Sequence, residues 1–159
     1  MFTYREFSAA DLLDLNLVNL DEKTVSFTLE FYFRYLSEHP KYCLSVVSDE
    51  NPIGYIIGNS GPYKKTKDLY SHVTALSIAP PCRRFGLGQS LLEMYDLNAK
   101  VDKSLFIDLF VRESNTQAIN FYTKYGYVKH ELINDYYADP SENAYDMRLY
   151  TGVDKCSRA

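Results

Sequence analysis

Apolar positions along the chain follow two periods, and the alternation between them sets out the elements. Short runs rich in β-branched and aromatic residues predict strands at residues 2 to 7, Tyr42 to Val47, Ile53 to Gly58, Val73 to Ala79, Ser104 to Val111, Tyr127 to Leu132 and Ala144 to Tyr150. Helical spacing appears four times. The first stretch runs through Leu12, Leu13, Leu15 and Leu17, opened by Ser8 with Asp11 three residues on; the second is Phe27 to Glu38, ending before His39-Pro40. The third passes through Leu87, Leu91, Leu92, Met94 and Tyr95. The fourth starts at a Ser114/Gln117 capping box and continues through Ala118, Ile119, Tyr122 and Tyr125 to Gly126.

The order is therefore strand, two helices, three strands, helix, strand, helix, strand, strand. Ser-Asp-Glu-Asn-Pro at residues 48 to 52 is turn chemistry and predicts an antiparallel hairpin, whereas the strand-to-helix crossovers between residues 73 and 111 predict parallel neighbours. The expectation is an α/β fold of α+β type: a mixed, mostly antiparallel seven-stranded sheet flanked by about four helices. Residues 1–150 read as one domain and 151–159 as a frayed tail. Asn19 to Ser26 reads as a loop, and the last two strands as joined by a loop containing Tyr136-Tyr137-Ala138-Asp139-Pro140. The helix from Phe27 to Glu38 carries apolar residues on more than one face. Either it is buried all round, or one face meets a substrate or a partner subunit.

Composition narrows the function. With 159 residues, 46% of them hydrophobic, there is material for one core; a formal charge of −4 and a pI near 5.4 argue against nucleic acid as a direct partner. Lys64-Lys65-Thr66-Lys67 reads as a solvated loop. No apolar stretch reaches the about 20 residues that span a bilayer, and the first residues lack a signal-peptide core, so a cytoplasmic protein is expected with no membrane contact. Cys43, Cys82 and Cys156 form no pair with metal or redox spacing, and His39, His72 and His130 are scattered, so no metal site is expected.

Chemistry concentrates between the strand ending at Ala79 and the helix that follows, at Arg83-Arg84-Phe85-Gly86-Leu87-Gly88. A glycine-bearing turn that opens a helix aims unpaired N–H groups and the positive end of the helix dipole at one spot, which suits phosphate. The glycines allow close approach to a ligand, and the arginines add charge. The same turn can also be purely structural. It is not a P-loop, because no Gly-Lys-Ser/Thr follows, nor a dinucleotide fingerprint. Arg83, Gly86 and Gly88 resemble the [Gln/Arg]-x-x-Gly-x-[Gly/Ala] signature of the GCN5-related (GNAT) acetyltransferases.

Within that superfamily the chain resembles the NatB family of N-terminal acetyltransferase catalytic subunits. Three segments carry the likeness: His72 to Pro80 with Arg83 to Gly88; Phe106-Ile-Asp-Leu-Phe-Val-Arg-Glu-Ser-Asn115; and Tyr136-Tyr137 followed by Ala144-Tyr-Asp-Met-Arg148. Asn19-Leu20-Asp21 with Phe31-Tyr32 adds to it. The resemblance implies acetyl-CoA as cofactor and direct attack in a ternary complex on nascent proteins beginning Met-Asp, Met-Glu, Met-Asn or Met-Gln. It places backbone N–H groups of Ala75, Leu76 and Ser77 against the acetyl and pantetheine groups. Arg83, Arg84, Phe85, Gly86, Leu87, Gly88 and Gln89 fall at the pyrophosphate, Asn115 at pantetheine, and Tyr122 near the sulfur as general acid. For the substrate it implies Phe27, Tyr136 and Tyr137 around methionine, with Thr74 nearby and His72 facing the second residue. Val25 stands where the family can carry a glutamate. A large helical-repeat auxiliary subunit that reaches the ribosome is implied too, with the first two helices as candidate contacts.

The reaction itself asks for an oxyanion donor, a proton acceptor and a proton donor. An α-amino group titrates near about 8, far below a lysine at about 10.4, so a water chain through His72 or a tyrosine suffices as base and no single base is assigned. From the residues alone, Tyr122 is equally a core residue and Asn115 a helix cap. Two other readings stay open: a GNAT enzyme for a small amine or a lysine side chain, and a non-catalytic CoA-binding subunit.

Overall fold

The structure, a computed structural model, describes residues 1–19 and 26–152, the side chains of residues 16 and 17 apart. The elements in chain order are β1 (Phe2–Glu6), a 3-10 helix (Ala9–Leu17), α1 (Leu29–Glu38), β2 (Cys43–Ser48), β3 (Asn51–Pro62), β4 (Leu69–Ile78), α2 (Leu87–Val101), β5 (Phe106–Arg112), α3 (Thr116–Tyr125), β6 (Val128–Ala138) and β7 (Ser141–Tyr150). The seven strands are hydrogen-bonded in the order β1-β2-β3-β4-β5-β7-β6. β4 and β5 run parallel, while β1–β2, β2–β3, β5–β7 and β6–β7 are antiparallel. The expected mixed, mostly antiparallel α+β architecture is the one observed.

Several boundaries differ, each for a physical reason. The first helix is 3-10 throughout, with Asp11 accepting from the Ser8 N–H at 2.8 Å. Phe27 lies before α1, because Thr28 is its cap and accepts from the Phe31 N–H at 3.3 Å. Ser114 is not the cap of α3; Asn115 is, its Oδ1 accepting from the Ala118 N–H. The stretch from Ile133 to Ala138, expected as loop, continues β6: Asp135 takes a φ of 52° at an irregularity in the β6–β7 register, so Tyr136 and Tyr137 sit on a strand. The loop at Asn19 to Ser26 with Leu20, Asp21 and Val25, the Leu17 side chain, and Cys156 with the tail beyond residue 152 fall largely or wholly outside the described residues.

Backbone contacts divide the chain into two compact units, Met1–Ser60 with Thr74–Asn98, and Gly61–Val73 with the chain from Ala99 onward. In the first, Phe7, Leu15, Val18, Tyr32, Cys43, Tyr55, Ile57 and Ala79 form a buried apolar cluster, with Phe7 stacked on Tyr55 at 5.3 Å. Burial raises the Cys43 thiol to about 11, which marks it as packing rather than chemistry. Of the α1 side chains only Tyr32 is fully buried, while Leu29 and Phe33 are 58% and 50% exposed. The helix is thus not buried all round. In the second unit Phe106, Ile107, Asp108, Leu109 and Val111 are all buried, so β5 is covered on both faces, with Met147 and Ala144 opposite it on β7.

Candidate active site

The glycine turn lies in the first unit. Arg84 and Gly86 both take left-handed backbone angles, φ 70° and 79°, so the chain turns sharply out of the 3-10 segment Pro80–Cys82 into α2. The first bond of the helix ladder runs from the Ser90 N–H to the Gly86 carbonyl at 3.0 Å, which leaves the N–H groups of Leu87, Gly88 and Gln89 ahead of the ladder. A Cβ on Gly86 would meet nothing within 4 Å, so the backbone there is open to a ligand. Leu87 is buried and anchors the helix start; Arg83 Nε donates to the Ile78 carbonyl at 3.0 Å, and the Gln89 amide donates to Glu93 at 2.9 Å. Phe85 is mostly exposed beside Phe2. Of the adjoining β4 residues, Ala75 and Leu76 are half-buried, and Ser77 spends its hydroxyl on the Val18 carbonyl at 3.0 Å, which leaves only its backbone for a ligand.

The same unit joins two of the expected substrate residues through Phe31, which belongs to the family likeness, and through Tyr35, to which no role had been assigned. Phe27 stacks on Phe31 with centroids 4.2 Å apart, and Phe31 packs on Tyr35 at 4.5 Å. The Tyr35 hydroxyl then accepts from Thr74 Oγ1 at 3.0 Å and from the Asn59 amide at 3.2 Å. Phe27 and Thr74 are therefore the two ends of one aromatic and hydrogen-bonded ladder.

In the second unit, His72 on β4 stands opposite Asp108 on β5, and its Nδ1 lies 2.7 Å from Asp108 Oδ1. The imidazole also packs on Phe110 at 5.3 Å, Phe110 on Tyr136 at 4.9 Å, and Tyr136 on Tyr137 at 5.0 Å. Tyr137 donates to the Phe110 carbonyl at 3.3 Å, and its phenol is pushed up to about 12, by burial first and by Tyr136 next, with Arg112 working the other way. Tyr122 on α3 is buried between Phe121 and Tyr127; burial, with a smaller contribution from Tyr137, raises its phenol well above the ordinary value. Asn115 closes the start of that helix, its N–H donating to the Arg112 carbonyl at 2.9 Å. Among the described residues no three His, Cys, Asp or Glu groups are arranged to hold a metal ion, and no helix is long and apolar enough to cross a membrane.

The acetyltransferase (GNAT) family model matches residues 10–127. The chain belongs to the GNAT acetyltransferase family. It is 38% identical to the N-terminal acetyltransferase B complex catalytic subunit naa20 of Schizosaccharomyces pombe, over 91% of this chain and 82% of that one. It is 42% identical to N-alpha-acetyltransferase 20 of Dictyostelium discoideum, over 93% of this chain and 85% of that one. Among solved structures, Naa20 of Chaetomium thermophilum in complex with a bisubstrate analogue superposes with a TM-score of 0.86 at 37% identity, covering 93% of this chain and 86% of that chain. The NatB acetyltransferase complex bound to CoA and MES gives 0.84 at 34%, covering 93% and 98%.

For a GNAT enzyme, three side chains had been assigned no role from the sequence, although two of them lie in the Phe106-to-Asn115 segment of the family likeness. Asp108 is one, and its signal was a single carboxylate inside an otherwise apolar strand, which only the parallel register resolves into a partner for His72. The Tyr35 hydroxyl is another; nothing in the pattern of α1 sets that tyrosine apart. The third is Arg112, whose guanidinium donates to the carbonyls of Asp139 and Pro140 and pairs with Glu142 at 3.3 Å.

Proposed function

We propose that the protein moves the acetyl group of acetyl-CoA to the α-amino group of polypeptides beginning Met-Asp, Met-Glu, Met-Asn or Met-Gln, by direct attack in a ternary complex. The observation that carries the reading is the turn at Arg84-Phe85-Gly86: two left-handed residues deliver the chain into the unladdered N–H groups of Leu87, Gly88 and Gln89, with open space over Gly86. That arrangement suits the pyrophosphate of a CoA ester. It occurs in a chain 38–42% identical to NatB-type catalytic subunits over most of its length.

Acetyl-CoA supplies an activated thioester. The chain's own residues then have to place the amine, accept its proton and give one to the departing sulfur. Arg83 to Gln89 hold phosphate, Ala75, Leu76 and Ser77 offer main-chain groups, and Asn115 has a side-chain amide to donate beyond its capping oxygen. Burial disfavours the phenolate, so Tyr122 keeps the proton that a general acid has to give. An α-amine near about pH 8 needs only a modest acceptor, and water relayed through His72 meets that demand. As in the family likeness, Phe27, Tyr136 and Tyr137 are assigned to the methionine side chain, Thr74 to the substrate, and His72 to the second residue.

An auxiliary subunit of helical-repeat build, seated on Leu13, Leu29 and Phe33, would bring the enzyme to ribosomes in the cytoplasm; all three side chains are at least half exposed. The test is acetyl transfer to peptides starting Met-Asp, Met-Glu, Met-Asn, Met-Leu and Ser-Glu, and to an internal lysine, with and without that subunit. Preference for the first three supports the reading. Preference for lysine or Ser-Glu overturns the specificity, and cofactor binding without transfer to any peptide would make the chain a CoA-binding subunit.

A further inference from the structure

We infer that Tyr35 is a further substrate-binding residue: its hydroxyl hydrogen is donated to a main-chain carbonyl of the incoming polypeptide, that of its second or third residue. The inference rests on the acetyltransferase reading above and deepens it.

The Tyr35 oxygen accepts twice, from Thr74 Oγ1 at 3.0 Å and from the Asn59 side-chain amide at 3.2 Å. Two accepted bonds occupy the lone pairs of a hydroxyl oxygen, so the hydroxyl's own hydrogen has to go to a third group. Among the described residues Tyr35 makes no side-chain hydrogen bond besides these two. Tyr35, Asn59 and Thr74, on α1, β3 and β4 of the first unit, are each only half-buried, so an acceptor can reach that hydrogen from solvent.

The donor is held in place. Phe31 lies 4.5 Å from the Tyr35 ring and His39 5.8 Å from it. The Tyr35 carbonyl accepts from the His39 N–H at 2.8 Å and from the Cys43 thiol at 3.6 Å, which ties the last turn of α1 to the start of β2. Asn59 is anchored as well, its carbonyl accepting from the hydroxyl of the buried Tyr95 at 3.2 Å. A hydroxyl fixed in this way loses little freedom when a ligand arrives.

A main-chain carbonyl is the acceptor that fits. An enzyme that reads two side chains meets any side chain after them, and the carbonyl is the acceptor that every such polypeptide carries. The spacing selects which one. Phe27, assigned to the methionine side chain, leads to Tyr35 through ring steps of 4.2 and 4.5 Å, a path within the reach of three extended residues at about 3.3 Å each. Thr74, assigned to the substrate, touches the same hydroxyl directly.

Tyr35→Phe removes the hydroxyl and keeps the ring between Phe31 and His39. With the full chain and its auxiliary subunit, the KM of a Met-Asp peptide is expected to rise about 5- to 10-fold, the scale of one neutral hydrogen bond. The KM of acetyl-CoA and kcat should stay within about twofold of wild type. Peptides in which the amide after the second, third or sixth residue is replaced by an ester, whose carbonyl is a weaker acceptor, locate the contact. An ester after the second or third residue should raise the wild-type KM and add little in Tyr35→Phe, a non-additivity that a general disturbance of α1 does not give. Ester effects equal in the two enzymes, a peptide KM unchanged in the variant, or a joint rise of both KM values overturns the proposal. If thermal unfolding shows that Tyr35→Phe does not fold, the wild type alone decides. A KM raised by an ester after the second or third residue more than after the sixth supports the proposal, and a KM indifferent to all three overturns it. A wild-type enzyme that acetylates lysine side chains or no amine at all would instead sink the substrate reading itself, a distinct result.

Discussion

Arg112 sits over Tyr137 with its guanidinium carbon 4.0 Å from the ring centroid, and the same side chain donates to the Asp139 and Pro140 carbonyls and to Glu142. Glu142 in turn accepts from the Ser114 N–H at 2.6 Å, which holds its carboxyl below the usual range. One residue thus ties the β6–β7 hairpin, which carries Tyr136 and Tyr137, to the approach to α3, which carries Asn115 and Tyr122. The contact is a cation over an aromatic face combined with a fork of donors, a combination lysine cannot reproduce.

Arg112→Lys should therefore behave almost as badly as Arg112→Ala. Both are expected to lose roughly 1–3 kcal/mol of stability and to raise peptide KM several-fold more than acetyl-CoA KM. Steady-state kinetics with each substrate varied in turn, alongside thermal unfolding, provides the check. A lysine variant indistinguishable from wild type would show that the clamp does not govern the hairpin.

Tyr122→Phe removes one oxygen from a packed site and leaves the ring among Phe121 and Tyr127. Stability should change by less than about 1 kcal/mol, because a hydroxyl leaving an apolar bed takes its own desolvation cost with it. If the phenol is the proton donor, kcat falls roughly 100-fold while both KM values stay close to wild type. The sign of the pH dependence follows from the raised phenol: the protonated form persists above the ordinary tyrosine value, so no loss of kcat below about pH 10 should arise from this residue.

At Gly86 the question is conformational. φ is 79° and a methyl group would meet nothing, so Gly86→Ala is a test of backbone angle without a steric clash. A left-handed alanine costs about 1–2 kcal/mol, and acetyl-CoA KM should rise about tenfold with the peptide KM unaffected. Gly86→Asn, which tolerates that angle better, should fall between the two. Isothermal titration with CoA reads the same effect without turnover.

Much of this was legible in the chain and some was not, for identifiable reasons. The Arg83-x-x-Gly-x-Gly turn could be read because glycine at a strand-to-helix junction reports directly on backbone angles. Tyr136 and Tyr137 were placed in a loop with Asp139-Pro140; the register irregularity at Asp135, with its positive φ, lets the strand continue through them. Ser114 and Asn115 are both good caps one residue apart, and propensity cannot choose between them. The tertiary bond from the Ser114 N–H to Glu142 and the local one from the Ala118 N–H to Asn115 Oδ1 do. The Asp108–His72 pair was hidden for another reason: partners 36 residues apart in sequence meet only through a parallel register, which no local pattern encodes.

The last prediction concerns stability and lies away from the proposed chemistry. Asp11 is 4% exposed, yet it accepts from both guanidinium nitrogens of Arg5 at 2.8 and 2.6 Å, from the Ser8 N–H at 2.8 Å and from Ser45 Oγ at 3.4 Å. Burial acts to raise its carboxyl, but the Arg5 and Ser8 hydrogen bonds and the Arg5 charge together outweigh it, and the folded-state value lies below the ordinary one. A carboxyl lowered by folding stabilises the native state at pH values above its unfolded pKa of about 4, and that contribution disappears as pH falls through the lower folded value. Asp11→Asn should therefore lose roughly 1–3 kcal/mol at pH 7, the cost of leaving the Arg5 fork and Ser8 N–H without a charged acceptor. Because the wild type itself protonates there, the gap between the two proteins should narrow as the pH is taken below about 4. Urea unfolding of both proteins at pH 7 and at several acidic pH values measures it; a gap that stays constant with pH would mean that the Asp11 charge is not what holds β1 to the 3-10 helix.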